Sequence, residues 1–98
     1  MSESELAGRL NVIASKAKAE RNLDKLALLG LDAMEVVKPV HPAIVEIANE
    51  LMGKDAPEWF VRPEKGRNGS PIEQMARGDS LQLKNRLVFA KVIMTMGT

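Results

Sequence analysis

From Ser4 onward, apolar residues recur at three- and four-residue spacing at Leu6, Leu10, Ile13, Ala14 and Ala17, with Arg9, Lys16, Lys18 and Glu20 on the rest of the wheel. That period predicts an amphipathic helix of about four turns. A second helical pattern starts at Asn22, an N-cap residue type. It runs through Leu23, Leu26, Ala27, Leu31, Met34 and Val37 and must stop before Pro39. Leu28 and Leu29 widen its apolar face, and Gly30 weakens its middle. Val40-His41-Pro42 reads as a turn and restart, with Pro42 preset for a first helical turn. Ile44, Ile47, Ala48 and Leu51 then form the buried face of a third helix that ends at Gly53.

Beyond Gly53 the elements shorten. Asp55 is placed to cap a turn holding Pro57, Trp59 and Phe60, which Pro63 prevents from continuing. Residues 62–69, Arg-Pro-Glu-Lys-Gly-Arg-Asn-Gly, have the composition of a loop. Ser70-Pro71-Ile72-Glu73 combines serine at the N-cap, proline at N1 and glutamate at N3, so both reciprocal bonds of a capping box are available. Gly78 stops that short helix, Asp79 or Ser80 caps the next, and residues 81–96 run to Gly97 as a stop. The expected fold is all-α: a small single-domain bundle of about five helices with a long apolar C-terminal helix.

That last helix is unusual. Its polar residues cluster at Gln82, Lys84, Asn85 and Arg86, whereas Val88, Phe89, Ala90, Val92, Ile93, Met94 and Met96 leave the second half apolar nearly all round. A helix of this kind is expected to be covered on more than one side, by the core or by another chain, because each large side chain left in water forfeits roughly 1.5–3 kcal/mol. Methionine suits either setting, since it fills gaps in cores and adapts at contact surfaces.

Composition narrows the function. The 98 residues suffice for one core, and 45% hydrophobic with 28% charged is ordinary for a folded globular chain. With no cysteine there is no disulfide, thiol nucleophile or thiolate metal site, and a single histidine removes most of the parts of a catalytic triad. The expectation is a protein without catalysis, metal or cofactor. No apolar run reaches the ~20 residues of a membrane span, and the acidic start lacks a basic leader region, so the expected compartment is the cytoplasm and no membrane partner is anticipated. Net charge is only +1, but its distribution is polar along the chain: residues 22–61 carry seven acids against three bases, residues 62–98 seven bases against three acids.

Few single residues carry chemistry. His41 would need Asp24, Glu35 or Glu46 beside it to act as base or ligand, and is expected to be a surface or capping histidine. Glu46 and Glu50, one helical turn apart, lack a third ligand and read as a solvated face. Arg62, Lys65 and Arg67, followed by Arg77, Lys84 and Arg86, could meet a phosphate or an acidic protein surface, or simply face water. The segment 66–69 is no nucleotide fingerprint, because it lacks the Gly-Lys-Ser/Thr ending and follows no strand. Trp59 is expected to anchor the core, with an exposed hot spot as the rival reading.

Residues 43–97 resemble the toxin-binding domain of Xre/MbcA/ParS-type antitoxins, which occur beside toxins that consume or transfer NAD. The resemblance lies in the order of an amphipathic helix, Trp59, Pro63, a short glycine-containing loop, Gly69-Ser70-Pro71, a short helix with Ile72, Glu73, Met75 and the Arg77-Gly78-Asp79 corner, and a long helix to Gly97. Phe60 and Glu64 depart from it, standing where the family more often has an aliphatic residue and an asparagine. It implies a non-enzymatic antitoxin whose C-terminal region occludes a cognate toxin's active-site cleft. Met94, Met96, Gly97 and Thr98 would lie at the contact, and Arg77, Lys84, Arg86 and Lys91 would be available to acids on the partner. It also divides the chain into an N-terminal helical pair, residues 1–40, and a toxin-binding-like part, residues 41–98. Many relatives carry an N-terminal helix-turn-helix; the two helices here would be a shortened version or a dimerisation element, in a homodimer or a hetero-oligomer. Two alternatives remain from the residues themselves: a small helical DNA-binding regulator, or a helical inhibitor or adaptor of another partner. The −4 balance of residues 22–61 opposes the first, since it would repel a phosphate backbone.

Overall fold

The computed structural model describes residues 2–96. Among them are six α-helices and no strand: α1 Glu3–Ala19, α2 Leu23–Val37, α3 Pro42–Met52, α4 Ala56–Val61, α5 Pro71–Ala76 and α6 Ser80–Met96, with a 3-10 turn, Gly53–Asp55, between α3 and α4. The fold is therefore an all-α bundle. Several helix ends follow from side chains the sequence supplies. Ser2 accepts from the Glu5 N–H at 3.2 Å, and Asn22 accepts from Asp24 and Lys25 at 2.9 and 3.2 Å. Pro42 opens α3, although His41, at its N-cap, makes no side-chain capping bond. At α4 the N-cap is Asp55, also without a side-chain cap, so the preceding 3-10 turn leads into that helix instead.

The capping box forms in full at α5. Ser70 Oγ accepts from the Glu73 N–H at 3.4 Å, and Glu73 Oε1 accepts from the Ser70 N–H at 3.1 Å. Gly78, with φ of 92°, turns the chain out of α5 in a conformation that L side chains disfavour. Asp79 then holds the N-cap position of α6, its carbonyl accepting from the Leu83 N–H at 3.0 Å. Ser80 is the first helical residue, and its buried hydroxyl has no partner among the described residues.

One cluster of buried side chains draws on all six helices, including Leu6, Leu10, Ala33, Val37, Ile44, Phe60, Ile72 and Leu83. Helix α1 packs on α5 and α2 on α4, so the first 40 residues interlock with the rest. The radius of gyration, 12.8 Å, is that of a single folded unit of this length. Helices α2 and α4 cross without room for a side chain: a Cβ at Gly30 would overlap the backbone carbonyl of Pro57. The glycine that weakens α2 by propensity is the residue that admits α4.

The two aromatics share the work expected of Trp59, which packs against the core from its edge. Phe60 is fully buried, whereas Trp59 is half-buried and meets it edge to face at 4.9 Å and 71°. Ala56, Phe60 and Val61 take the core side of this six-residue helix, and Trp59, about 100° round from Phe60 on the side away from Val61, is left at its edge.

Candidate partner interface

The loop from α4 to α5 closes through a polar junction. Glu64 accepts from Arg86 at 3.3 and 3.4 Å and from the Gln74 amide at 2.8 Å, while Arg86 donates to Gln74 Oε1 at 2.6 Å. The Gly69 carbonyl accepts from the Glu64 N–H and from Gln74, both at 3.3 Å. Gly69 itself has φ of 103°, and a Cβ there would press on the Glu73 side chain. This charge-assisted network, around a nearly inaccessible Gln74, fixes the loop and the α5–α6 angle together. Pro63 lies exposed where the loop leaves α4, and Pro71 is buried at the start of α5. Sequence reasoning missed Gln74 because a glutamine carries no periodic or charge signal, and met Glu64 only as a departure from the resembled pattern.

Glu73 has a second tie. Its other oxygen lies 3.0 Å from Lys18 of α1. Burial pushes this carboxyl up, but the Ser70 N–H and hydroxyl and the Lys18 ammonium together outweigh it, and the net effect is a lowering from the ordinary value.

The basic residues divide into held and free. Arg86 belongs to the junction, and Lys91 pairs with Glu50 of α3 at 2.5 Å, an acid whose hydrogen bond and charge raise the lysine above its ordinary value. Arg77 stands exposed at the end of α5, 3.9 Å from Asp79. Lys84 is exposed on α6 and enters none of the ion pairs among the described residues. Of the four bases proposed for a partner, Lys84 enters no ion pair among the described residues and Arg77 makes only the long contact to Asp79 at the surface, while Arg86 and Lys91 are engaged within the bundle. His41 Nε2 lies 2.9 Å from Glu3 of α1, none of the three acids considered for it. Among the described residues no group of three or more His, Cys, Asp or Glu side chains could hold a metal, and no helix is long and apolar enough to cross a membrane.

Helix α6 is the least covered of the six. Leu83 and Leu87 reach the core, but beyond Leu87 no side chain among the described residues is fully covered. Phe89 is 67% exposed and Met96 79%, with Val92, Ile93 and Met94 about half exposed or more. The bundle covers one side of this segment, and the described residues supply no second cover. Two open apolar grooves flank it. One, of about 300 Å³, runs from Trp59 past Leu51 and Ala90 to Met94. The other, of about 390 Å³, lies between α3 and α6, where Ile47 faces Val88, Val92 and Met96. Trp59 thus forms part of the wall that leads to Met94, a position between the core and hot-spot readings. Gly97 and Thr98 lie outside the described residues.

No protein-family profile, curated protein or solved structure matches this chain.

Proposed function

We propose that the protein is a non-enzymatic inhibitor, an antitoxin that silences an NAD-consuming or ADP-ribosylating toxin by seating the distal end of α6 in the toxin's active-site cleft. The observation that carries this reading is the exposure of Phe89, Val92, Ile93, Met94 and Met96 on the last turns of a helix whose first turns are locked by the Glu64–Gln74–Arg86 junction. A contiguous apolar patch of this kind on a small protein marks an interaction surface, and a rigid base under it reduces the ordering cost of binding. The two apolar grooves beside it widen the contact, and Arg77 and Lys84 guide it toward an acidic rim. The toxin identity comes from the resemblance of residues 43–97 alone. On the DNA-regulator alternative, α2 would present Asp24, Asp32 and Glu35 to the phosphates.

The test is affinity capture of the tagged protein from its native host with mass spectrometry, alongside a truncation before Met94. Recovery of an NAD-consuming enzyme that is lost on truncation, and whose NAD turnover falls to background at saturating protein, is the expected result. Unchanged NAD turnover at saturation, or capture of a different partner that ignores the truncation, overturns it.

A further inference from the structure

Helix α6 turns one side to the core through Leu83 and Leu87, and the side opposite carries a pattern of its own. Gln82, Asn85, Phe89, Val92 and Met96 follow one another at steps of three, four, three and four residues, within an arc of about 80°. All of them are exposed. This line carries no charge. Lys84 and Lys91 stand about 140° and 160° round the helix from Phe89, and Lys91 is paired with Glu50. Arg86, about 60° from Phe89 at the edge of the line, is held by Glu64.

Alternating steps of three and four are the seam that a helix offers to a second helix lying along it. The seam also has a direction, with amides at Gln82 and Asn85 and apolar side chains at Phe89, Val92 and Met96. A second copy running the same way, about a two-fold axis along the helices, sets each position against its twin. Amide then meets amide, each able to donate and accept, and apolar meets apolar. A reversed copy laid over the whole seam would press Gln82 and Asn85 on Met96 and Val92 and bury amides without partners. The flanks agree with the parallel arrangement. One flank is the groove where Ile47 faces Val88 and Val92, and on the other Ile93 stands out, lining neither groove. A two-fold axis along α6 brings the Ile93 flank of each copy over the α3 groove of the other.

We infer that two copies of this chain pair through the outer face of α6 as a parallel two-fold dimer, with Asn85 facing Asn85 and Ile93 of each copy over the groove between α3 and α6 of the other. The same patch serves both partners, so the association closes at two. The exposed apolar side chains of the distal half present on the order of 500 Å², short of the ~800 Å² per partner of a standard interface. An amide pair in such a seam fixes register at a cost in stability, so the dimer exchanges with monomer. The inference rests on the seam and not on the antitoxin reading; a toxin seated on the end of α6 would compete with the second copy.

Sedimentation velocity of the purified full chain over a concentration series tests it without any toxin. The mean mass is expected to rise toward twice that of the monomer and to stop there. The chain has no cysteine, so an introduced one reports on its own neighbour. Asn85→Cys is expected to oxidise to a covalent dimer, whereas Lys84→Cys, on the far side of the helix from the seam, stays monomeric under the same conditions. F89Q/M96Q alters two exposed positions, with circular dichroism to check the fold, and is expected to weaken dimerisation about tenfold or more. A wild-type chain that stays monomeric to millimolar concentration overturns the inference, as does growth beyond a dimer. A dimer unmoved by F89Q/M96Q would place the contact elsewhere. Cross-linking of N85C to M96C in an equimolar mixture, with none of N85C to itself, would mean that the helices run in opposite directions and overturns the parallel pairing.

Discussion

The α2–α4 crossing and the distal half of α6 are built from similar residues and end in opposite states. At the crossing, Gly30 meets the backbone of Pro57 with no room for a methyl group, and Phe60 is fully enclosed. At the distal half of α6, Phe89, an identical side chain, is two-thirds exposed. Hydrophobicity therefore does not sort these residues; the availability of a neighbouring backbone does. Where two helices approach over a glycine the core closes, and where the last helix outruns its neighbours the same chemistry is left in solvent.

The largest expected effect comes from filling the crossing. Gly30→Ala gains helix propensity in isolation, which would favour folding by roughly 1 kcal/mol. In the bundle the new methyl must displace the Pro57 carbonyl, a backbone atom that cannot rotate away. The variant is expected to lose 3 kcal/mol or more, on the order of the worst overpacking costs, or to fail to fold. Urea denaturation followed by circular dichroism measures this, and a neutral or stabilised variant would show that α2 and α4 do not cross here. Next comes Phe60→Ala, with an expected cost of about 3–5 kcal/mol if the cavity stays open. Trp59→Ala, at a half-buried position, should cost less than Phe60→Ala in the same assay despite removing more atoms. The reverse order would restore Trp59 as the core anchor.

A smaller effect tests the polar seam between α1 and α5. Glu73→Ala removes one half of the capping box and the partner of Lys18, and is expected to cost about 1 kcal/mol at neutral pH. Because the folded carboxyl titrates below its ordinary value of 4.5, its contribution is complete above that value and is lost as pH falls through the lowered one. The stability gap between wild type and variant should therefore narrow in acid. A gap that is constant from neutral to strongly acidic pH would mean that the charge on Glu73 contributes nothing.

Much of the bundle was legible because its signals are local. Asn22, Pro42 and the Ser70–Glu73 capping box mark the starts of α2, α3 and α5, and Gly78 the exit from α5, each within a few residues of the backbone groups it governs. What sequence could not supply are pairings across long separations. Arg86 reaches Glu64 22 positions away and Gln74 12 away, and His41 finds Glu3 on another helix. The role of Gly30 was hidden for the same reason, since propensity describes a residue's own helix and not the one that crosses it. The apolar excess of α6 was visible in the sequence, but whether the chain itself covers it depends on where α3 and α4 end.

The smallest expected effect closes the comparison from its other side. Ile93 is about half exposed, on a turn of α6 that no other helix encloses. If burial decides the contribution of a side chain, Ile93→Gln should change the free energy of unfolding by no more than about 0.5 kcal/mol, since most of the apolar surface it removes already faces water and glutamine is the better helix former. Phe60→Ala and Ile93→Gln both remove a large apolar side chain, one from an enclosed position and one from an open one. A loss of 2 kcal/mol or more at Ile93 in the isolated monomer would show that this turn of α6 is packed by the chain itself, and would remove the exposed surface on which a partner depends. A loss that appears only as the protein is concentrated would instead mean that a second molecule supplies the missing wall.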